Sequence, residues 1–407
     1  MIPMQLNNNE ITHLTSNTFE VEELNQLRAL PIFSDISISF LSALSKEIIK
    51  DFQIRNFPDV ASFAFFCRKQ NILKIRKDFE NDTIMRLGRG IVFHIAPSNV
   101  PVNFAYSLFF GVLSGNINIV KVPSKDFEQI NIIVNAIIRL TKKTEFKDIK
   151  DKIALVKFNR DSSATSFFSA ISDVRVIWGG DDTIAQIRKS FIPARSFDVT
   201  FADRYSICII NTKEYLKEKM PDKIAQGFYN DTYLFDQNAC TSPHLINWVG
   251  SNEDVEKAKI IFWGELNKIV TQKYPEILPL TAVDKLTTFY KTVLSVNGIH
   301  KTFTNNNLLW RVEIDSLFPN LEYFNCSSGY FLEYHASSLS DIAKIINRKY
   351  QTIAYYGFEK SELVDFVLNE KLSGVDRIVQ IGQTTEFSAI WDGFDLIRTL
   401  SRCVQVC

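Results

Sequence analysis

Apolar residues recur at helical spacing through residues 1–80, as in Phe40, Leu41, Leu44, Ile48 and Ile49 and again in Phe63, Phe66, Ile72 and Ile75, and they predict a helical entry segment. The pattern then changes. Gly90-Ile91-Val92-Phe93-His94-Ile95 is β-branched and aromatic, stops at Ala96-Pro97, and reads as a buried strand. VNFAYSLFFGVLSGN predicts a helix ending near Gly115, and Ile117–Val122 a second strand. Ser124 is placed to cap a further helix with Asp126 and Glu128 in its first turn. That helix carries Phe127, Ile130, Ile133, Val134, Ile137 and Ile138 on one face and ends at Lys142-Lys143. Strands return at Ile153–Phe158 and Val174–Trp178, the latter running through Gly179-Gly180 into the helical DDTIAQIRKS. Strands alternating with helices imply a parallel sheet wound by right-handed crossovers, a Rossmann-like half.

After Phe201-Ala202-Asp203-Arg204 the alternation begins again with a strand at Ile207–Asn211, a helix from about Pro221, the loop DQNACTSP and the strand HLINWV. The expected organisation is α/β in two domains, residues 1–205 and 206–407.

Composition narrows the function classes. With 46 Lys+Arg against 46 Asp+Glu the net charge is zero, which argues against a nucleic acid or an anionic membrane as the main partner. The 33 Phe, 13 Tyr and 5 Trp supply ample apolar area to offset chain entropy. From Ile95 to Val120 the chain has no formal charge, a run longer than the roughly 20 residues that cross a bilayer. Pro97, Pro101, Gly111, Gly115 and the asparagines at 99, 103, 116 and 118 would be costly in lipid, so the run reads as strand, turn and helix of a soluble domain. The start MIPMQLNNNE lacks the features of a signal peptide, and the six cysteines form no CxxC pair, so a reduced, cytoplasmic protein is expected. The five histidines show no metal-binding spacing, and no metal is expected.

Candidate chemistry lies in two loops. The dinucleotide fingerprint GxGxxG is absent after the first strand, and Gly88-Arg89-Gly90, which precedes that strand, reads as a turn. IAPSNVP sits at the carboxyl end of the strand, where open α/β sheets place ligands. Asn99 there either closes an Asx turn between two prolines or offers its amide to a developing oxyanion. Lys121, at the next strand end, is either solvated or a ligand contact. Cys67 and Cys208 lie in apolar contexts and read as packing residues. Cys240, in the polar loop DQNACTSP, is where backbone N–H groups could stabilise a thiolate for nucleophilic catalysis. Cys326 is the next candidate, with Cys403 and Cys407 weaker ones.

GIVFHIAPSNVPVNFAYSLFFGVLSGNINIVKVPS, the DQNACTSP loop and WDGFDLIRTLSR, in that order, resemble the bacterial fatty acyl-CoA reductases of the LuxC type, a branch of the aldehyde dehydrogenase superfamily. The resemblance covers residues 85 to 402 and implies a Rossmann-like cofactor domain plus an α/β catalytic domain bearing a cysteine nucleophile. Carried over by motif, Cys240 is the nucleophile and Asn99 the oxyanion-stabilising amide. Ile95 and Ala96 line the cofactor, Lys121 contacts its adenosine ribose or phosphate with Ser124 and Lys125 adjoining, and Gly179 and Gly180 lie at the pyrophosphate.

Departures from the oxidising relatives bear on direction and cofactor. Where many of those enzymes carry a Glu base in E-L-G-G, this chain reads Thr200-Phe201-Ala202-Asp203-Arg204, with Phe201 at the carboxylate's position and Asp203 the nearest substitute. Without that base an acyl-enzyme would not be hydrolysed, as a reductase requires. Pro123-Ser124-Lys125 follows Lys121 in place of a ribose-binding carboxylate, and favours NADPH over NADH. The later E-x-F-G motif has no clean match, Glu322 being a weak candidate.

The implied reaction is reduction of a long-chain acyl thioester to the aldehyde. An NAD(P)-dependent aldehyde oxidiser and a non-catalytic assembly protein are the rivals. The implied partners are an acyl-CoA or acyl-protein donor and an acyl-protein synthetase; a homo-oligomer is expected.

Overall fold

The structure is a computed structural model that describes residues 10–15, 26–79, 84–97, 100–274, 276–296, 298–305 and 307–406. The chain forms two compact units, 1–202 with 394–407, and 203–393. The break falls at Ala202/Asp203, against 205/206 expected, and residues 394–407 join the first unit instead of ending the second. Hydrogen bonding explains the return. Ser401–Val404 pairs antiparallel with Met85–Gly88, Asn116 Nδ2 donates to the Leu400 carbonyl at 2.9 Å, and Arg89 Nε donates to that of Thr399 at 2.7 Å.

In the first unit, β1 (Thr12–His13), β3 (Ile91–Ile95), β4 (Ile117–Lys121), β5 (Ile153–Lys157), β6 (Val174–Trp178) and β7 (Phe197–Phe201) form one sheet, β2 (Met85–Gly88) lying outside it. The order is β1-β5-β4-β3-β6-β7, with β1 antiparallel to β5 and every other pair parallel. The chain steps from β3 through β4 to β5 on one side and then to β6 and β7 on the other. The winding reverses between β3 and β6, the crevice where such sheets hold ligands. All five residues of β3 are buried, as a parallel strand covered on both faces requires.

Between β1 and β2, the predicted entry segment forms helices at Asp35–Ile49, Pro58–Phe66 and Lys69–Lys77. The helix after β4 runs Glu128–Thr141, with Phe127 as N-cap and no side-chain cap. Ser124, expected as that cap, instead lies with Lys125 and Asp126 in an exposed bend. The buried stripe of Ile130, Ile133, Val134 and Ile137 gives the chain no reason to add an earlier turn.

A directed chain of buried hydrogen bonds joins these elements. Trp178 Nε1 donates to Ser107 Oγ at 3.2 Å, Ser107 to His94 Nδ1 at 2.7 Å, and His94 Nε2 to Asn118 Oδ1 at 3.1 Å. Asn118 Nδ2 in turn donates to the Asn116 carbonyl at 2.8 Å. Burial pushes the His94 pKa down to about 4, partly opposed by Asn118, so the ring is neutral at pH 7 and keeps one donor and one acceptor. The chain ties β3, β4 and β6 to the helix Asn103–Leu113.

In the second unit the strands are β8 (Tyr205–Asn211), β9 (Pro243–Val249), β10 (Ile299–Asn305), β11 (Leu309–Ile314), β12 (Tyr330–Ala336), β13 (Tyr350–Tyr356) and β14 (Arg377–Gln380). Their order is β10-β11-β12-β9-β8-β13-β14, parallel except for the β10–β11 hairpin. One core forms on each face, around Ile207, Ile209, Leu332 and Ile353 on one side and around Cys208, Trp248, Phe262 and Phe331 on the other. Among the described residues no helix is long and apolar enough to cross a membrane.

A Cβ at Gly111 would run into Asn118 Oδ1 and His94 Nε2. Gly111→Ala is therefore expected to lower stability by about 2–4 kcal/mol, measured by urea unfolding, because it overpacks the site and breaks the buried chain together.

Candidate active site

In the second unit the helix Pro221–Thr232 ends in a short turn, Tyr233–Phe235, and two residues with left-handed backbone, Asp236 (φ 50°) and Gln237 (φ 59°). The buried Gln237 side chain then makes four hydrogen bonds. Its Nε2 donates to the Pro243 and Tyr330 carbonyls, both at 3.0 Å, and its Oε1 accepts from Gly329 N at 2.9 Å and Tyr330 N at 3.0 Å. Ser242 Oγ donates to the Asp231 carbonyl at 2.7 Å, and Ser206 Oγ to the Cys240 carbonyl at 2.6 Å. The loop carrying Cys240 is thus pinned from β8, β9 and β12, and Cys240 stands at the amino-terminal edge of the sheet.

Cys240 is half-buried, and its sulfur has polar neighbours from distant parts of the chain. The side chain of Gln351, second residue of β13, hydrogen-bonds the thiol and also donates from Nε2 to Asp392 Oδ1. Burial pushes the thiol up to about 12, and the Asp392 charge adds to this. The Gln351 hydrogen bond, Arg204 and the residue's own backbone N–H pull the other way. Asp392 is itself raised to about 6 by burial and by Asp376, against Gln351, Arg204 and Arg377. His244, four residues after the cysteine, is pushed down to about 4 by burial and is neutral at pH 7, so it supplies no imidazolium to the thiol.

The two arginines are held by other groups. Arg204 Nη2 pairs with Asp376 Oδ2 at 2.5 Å and donates to the Tyr350 carbonyl at 2.7 Å. Arg377 donates to the Thr384 and Glu386 carbonyls at 3.0 and 2.9 Å and lies over the Trp391 ring at 4.6 Å. Buried Asp231 accepts from Gly382 N at 2.6 Å and Thr384 N at 3.0 Å, anchoring the same segment to the Pro221–Thr232 helix. Of this set, Gln351, Arg377 and Asp392 carried no role in the sequence reading.

Other candidates separate clearly. Cys67 and Cys208 are fully buried with thiols pushed up by burial. Cys326 is raised by burial, against Thr288, the Ser327 backbone and Lys285. Cys403 is exposed, and Cys407 lies outside the described residues. Glu322 is buried, with Asn347 Nδ2 donating to Oε1 at 3.2 Å.

In the first unit, Ile95 pairs with Lys121 across β3–β4 and with Ile177 across β3–β6, and Ala96 continues past the strand end. These residues and Gly179-Gly180 stand on the two sides of the β3/β6 crevice. Asn99 lies outside the described residues. Lys121 is half-buried over the Phe158 ring at 4.3 Å. Burial and Arg160 lower its pKa, and among the described residues neither Lys121 nor Arg160 forms an ion pair. Ser124 and Lys125 are exposed beyond the strand. Gly180 caps a helix, Asp181–Ile187, whose first turn carries Asp181 and Asp182. Phe201 stacks on Trp178 with ring centroids 3.8 Å apart, and Asp203 is exposed in the second unit.

Two doubly wound sheets, with a cysteine loop entering the second at its amino edge, make up the aldehyde dehydrogenase fold. A NAD-dependent benzaldehyde dehydrogenase from Corynebacterium glutamicum aligns with a TM-score of 0.63 over 98% of this chain and 95% of its own, at 11% identity. The 1-pyrroline-5-carboxylate dehydrogenase of Thermus thermophilus aligns with a TM-score of 0.65 over 94% and 83%, also at 11% identity. Within that fold a family model, acyl-CoA reductase (LuxC), matches residues 61–404, and the chain belongs to this family. Similar relatives are long-chain acyl-protein thioester reductases, one from Vibrio harveyi at 26% identity over 78% of this chain and one from Aliivibrio fischeri at 24% over 74%. The matched regions span 63% and 60% of those two relatives' lengths.

Gln237→Ala leaves the Gly329 and Tyr330 N–H groups without their acceptor. The expected cost is about 3 kcal/mol of stability, with faster hydrogen exchange at those two amides.

Proposed function

We propose that this protein reduces a long-chain acyl thioester, presented on CoA or on a protein, to the aldehyde through an acyl-Cys240 intermediate, with NADPH as reductant. The observation that carries the reading is a cysteine on a rigid loop of an aldehyde dehydrogenase fold, in a chain of the acyl-CoA reductase family.

Cys240 loses its proton and its sulfur attacks the thioester carbonyl carbon. The Cys240 backbone N–H is a donor for the tetrahedral oxyanion, and the motif assigns the amide of Asn99 the same role. Collapse breaks the carbon–sulfur bond to the donor, whose thiolate takes a proton. NADPH, when bound, supplies the hydride that converts the acyl-cysteine to a thiohemiacetal alkoxide. That alkoxide then collapses, the bond to Cys240 breaks, and aldehyde departs with the thiolate restored. In sum, thioester, NADPH and one proton give aldehyde, free thiol and NADP+.

The donor set of the first unit fits that cofactor. Lys121 and Arg160, which form no ion pair among the described residues, repel one another at the end of β4 and just beyond β5, and a ribose 2′-phosphate would relieve that repulsion. Ile95 and Ala96 would line the crevice, with Ser124, Lys125, Gly179 and Gly180 on its rim. An acyl-protein synthetase as source of the acyl group, and a homo-oligomeric assembly, belong to the same proposal. The aldehyde-oxidising alternative needs a base to activate water. The motif puts Phe201, whose ring stacks on Trp178, in place of that base, and Asp392 already accepts the Gln351 amide.

Incubating the protein with acyl-CoAs should add one acyl mass to wild type and none to Cys240→Ala, and NADPH should discharge the adduct as aldehyde. Turnover retained by Cys240→Ala, or aldehyde oxidised to acid without CoA, overturns the proposal. Lys121→Ala and Arg160→Ala should each weaken NADPH about tenfold and NADH less than about twofold, measured by fluorescence titration.

A further inference from the structure

Gln351 and Asp392 have no part in the chemistry above, yet they are neighbours of the Cys240 sulfur. Gln351 is fully buried, and its Oε1 faces the Thr352 hydroxyl at 3.4 Å, which turns its amide nitrogen toward Asp392 and the thiol. Asp392 is also buried and sits in a left-handed turn, Asp392 at φ 47° and Gly393 at φ 75°. The other charged groups acting on this pair are Arg204, Arg377 and Asp376. Arg204 is paired with Asp376, and Arg377 is bound to two carbonyls.

We propose that Gln351 is a positioning residue for the nucleophile, one amide N–H stabilising the Cys240 thiolate while the other is held by Asp392, so that thiol, amide and carboxylate act as a unit. At the thiol, the amide and the carboxylate work against each other. The amide favours the thiolate, whereas the carboxylate orients the amide and opposes ionisation through its own charge. The resting cysteine is thereby kept as a thiol, aimed by a donor already in place when the proton leaves. Its meaning for catalysis rests on the reading of Cys240 as the acylated residue, but its effect on the thiol can be measured without that reading.

The sign of each substitution follows. Removing the amide in Gln351→Ala raises the thiol pKa further. Removing the charge in Asp392→Asn lowers it, since asparagine still accepts from Gln351 and tolerates the left-handed turn. The test is the rate at which iodoacetamide alkylates Cys240 in the full chain, followed by peptide mass from pH 5 to 10. At pH 8 Gln351→Ala should react several-fold more slowly than wild type and Asp392→Asn several-fold faster. The wild-type profile should flatten near pH 6, where Asp392 takes up its proton and ceases to oppose the thiolate, and Asp392→Asn should rise without that step.

Variants that both follow wild type, or both shift in one direction, overturn the proposal. If circular dichroism shows Gln351→Ala unfolded, the wild-type step and its loss in Asp392→Asn decide the matter. Acylation of wild type is measured in parallel. Alkylation profiles as expected, with no acyl adduct from any acyl-CoA, would remove the nucleophile assignment and leave the Gln351 unit standing. An adduct with unmoved profiles would do the reverse.

Discussion

The four hydrogen bonds of the Gln237 side chain are the constraint on which the second unit's site depends. A loop between a helix and a strand normally has latitude, and this one has two residues at positive φ that could relax it. A buried amide that meets every one of its bonding requirements removes the latitude, because any movement leaves polar groups unsatisfied in a dry interior. The consequence passes down the loop to Cys240 and, through Ser206, to β8. The first unit uses the same device in another form, where His94 relays a run of hydrogen bonds from Trp178 to Asn118.

The environment of the cysteine is one of balanced opposition. Asp392 and Arg204 act on the sulfur in opposite senses, and Asp376 and Arg377 do the same to Asp392, so no single charge dominates the site. Burial is the largest influence on both the thiol and Asp392, and in each it favours the uncharged form. Reactive cysteines are usually found in electropositive surroundings, with a lysine, arginine or protonated histidine unopposed. Here the positive groups are spent on Asp376 and on backbone carbonyls.

Much of the architecture was legible in the chain. The runs at Ile91–Ile95, Ile117–Lys121, Val174–Trp178 and Pro243–Val249 stand out because strands buried on both faces have nearly continuous apolar sequences. The helix Ala164–Ile171 and the strand Met85–Gly88 escaped notice, being short and mixed in composition. The return of residues 394–407 to the first unit escaped as well, because an antiparallel partner some three hundred residues away leaves no local periodicity. The same holds for the site. Cys240 is conspicuous in a polar loop, whereas Gln351 opens an ordinary-looking strand and Asp392 sits in a turn. Their meeting at one sulfur is a product of the β8/β13 pairing and has no counterpart in spacing.

The pairing of Met85–Gly88 with Ser401–Val404 has a consequence in time as well as in space. A chain emerging from the ribosome exposes the first of these strands long before the second exists, and all of residues 203–393 must be made in between. At the usual synthesis rate of about 5–20 residues per second, the roughly three hundred residues between the two strands take about fifteen to sixty seconds. During it, one edge of the first unit carries unpaired backbone donors and acceptors, the condition under which nascent chains associate wrongly. Arg86 and Arg89, on and just beyond that strand, place positive charge along the waiting edge, where it discourages another strand from adding. The first unit to be synthesised is thus the last to be completed.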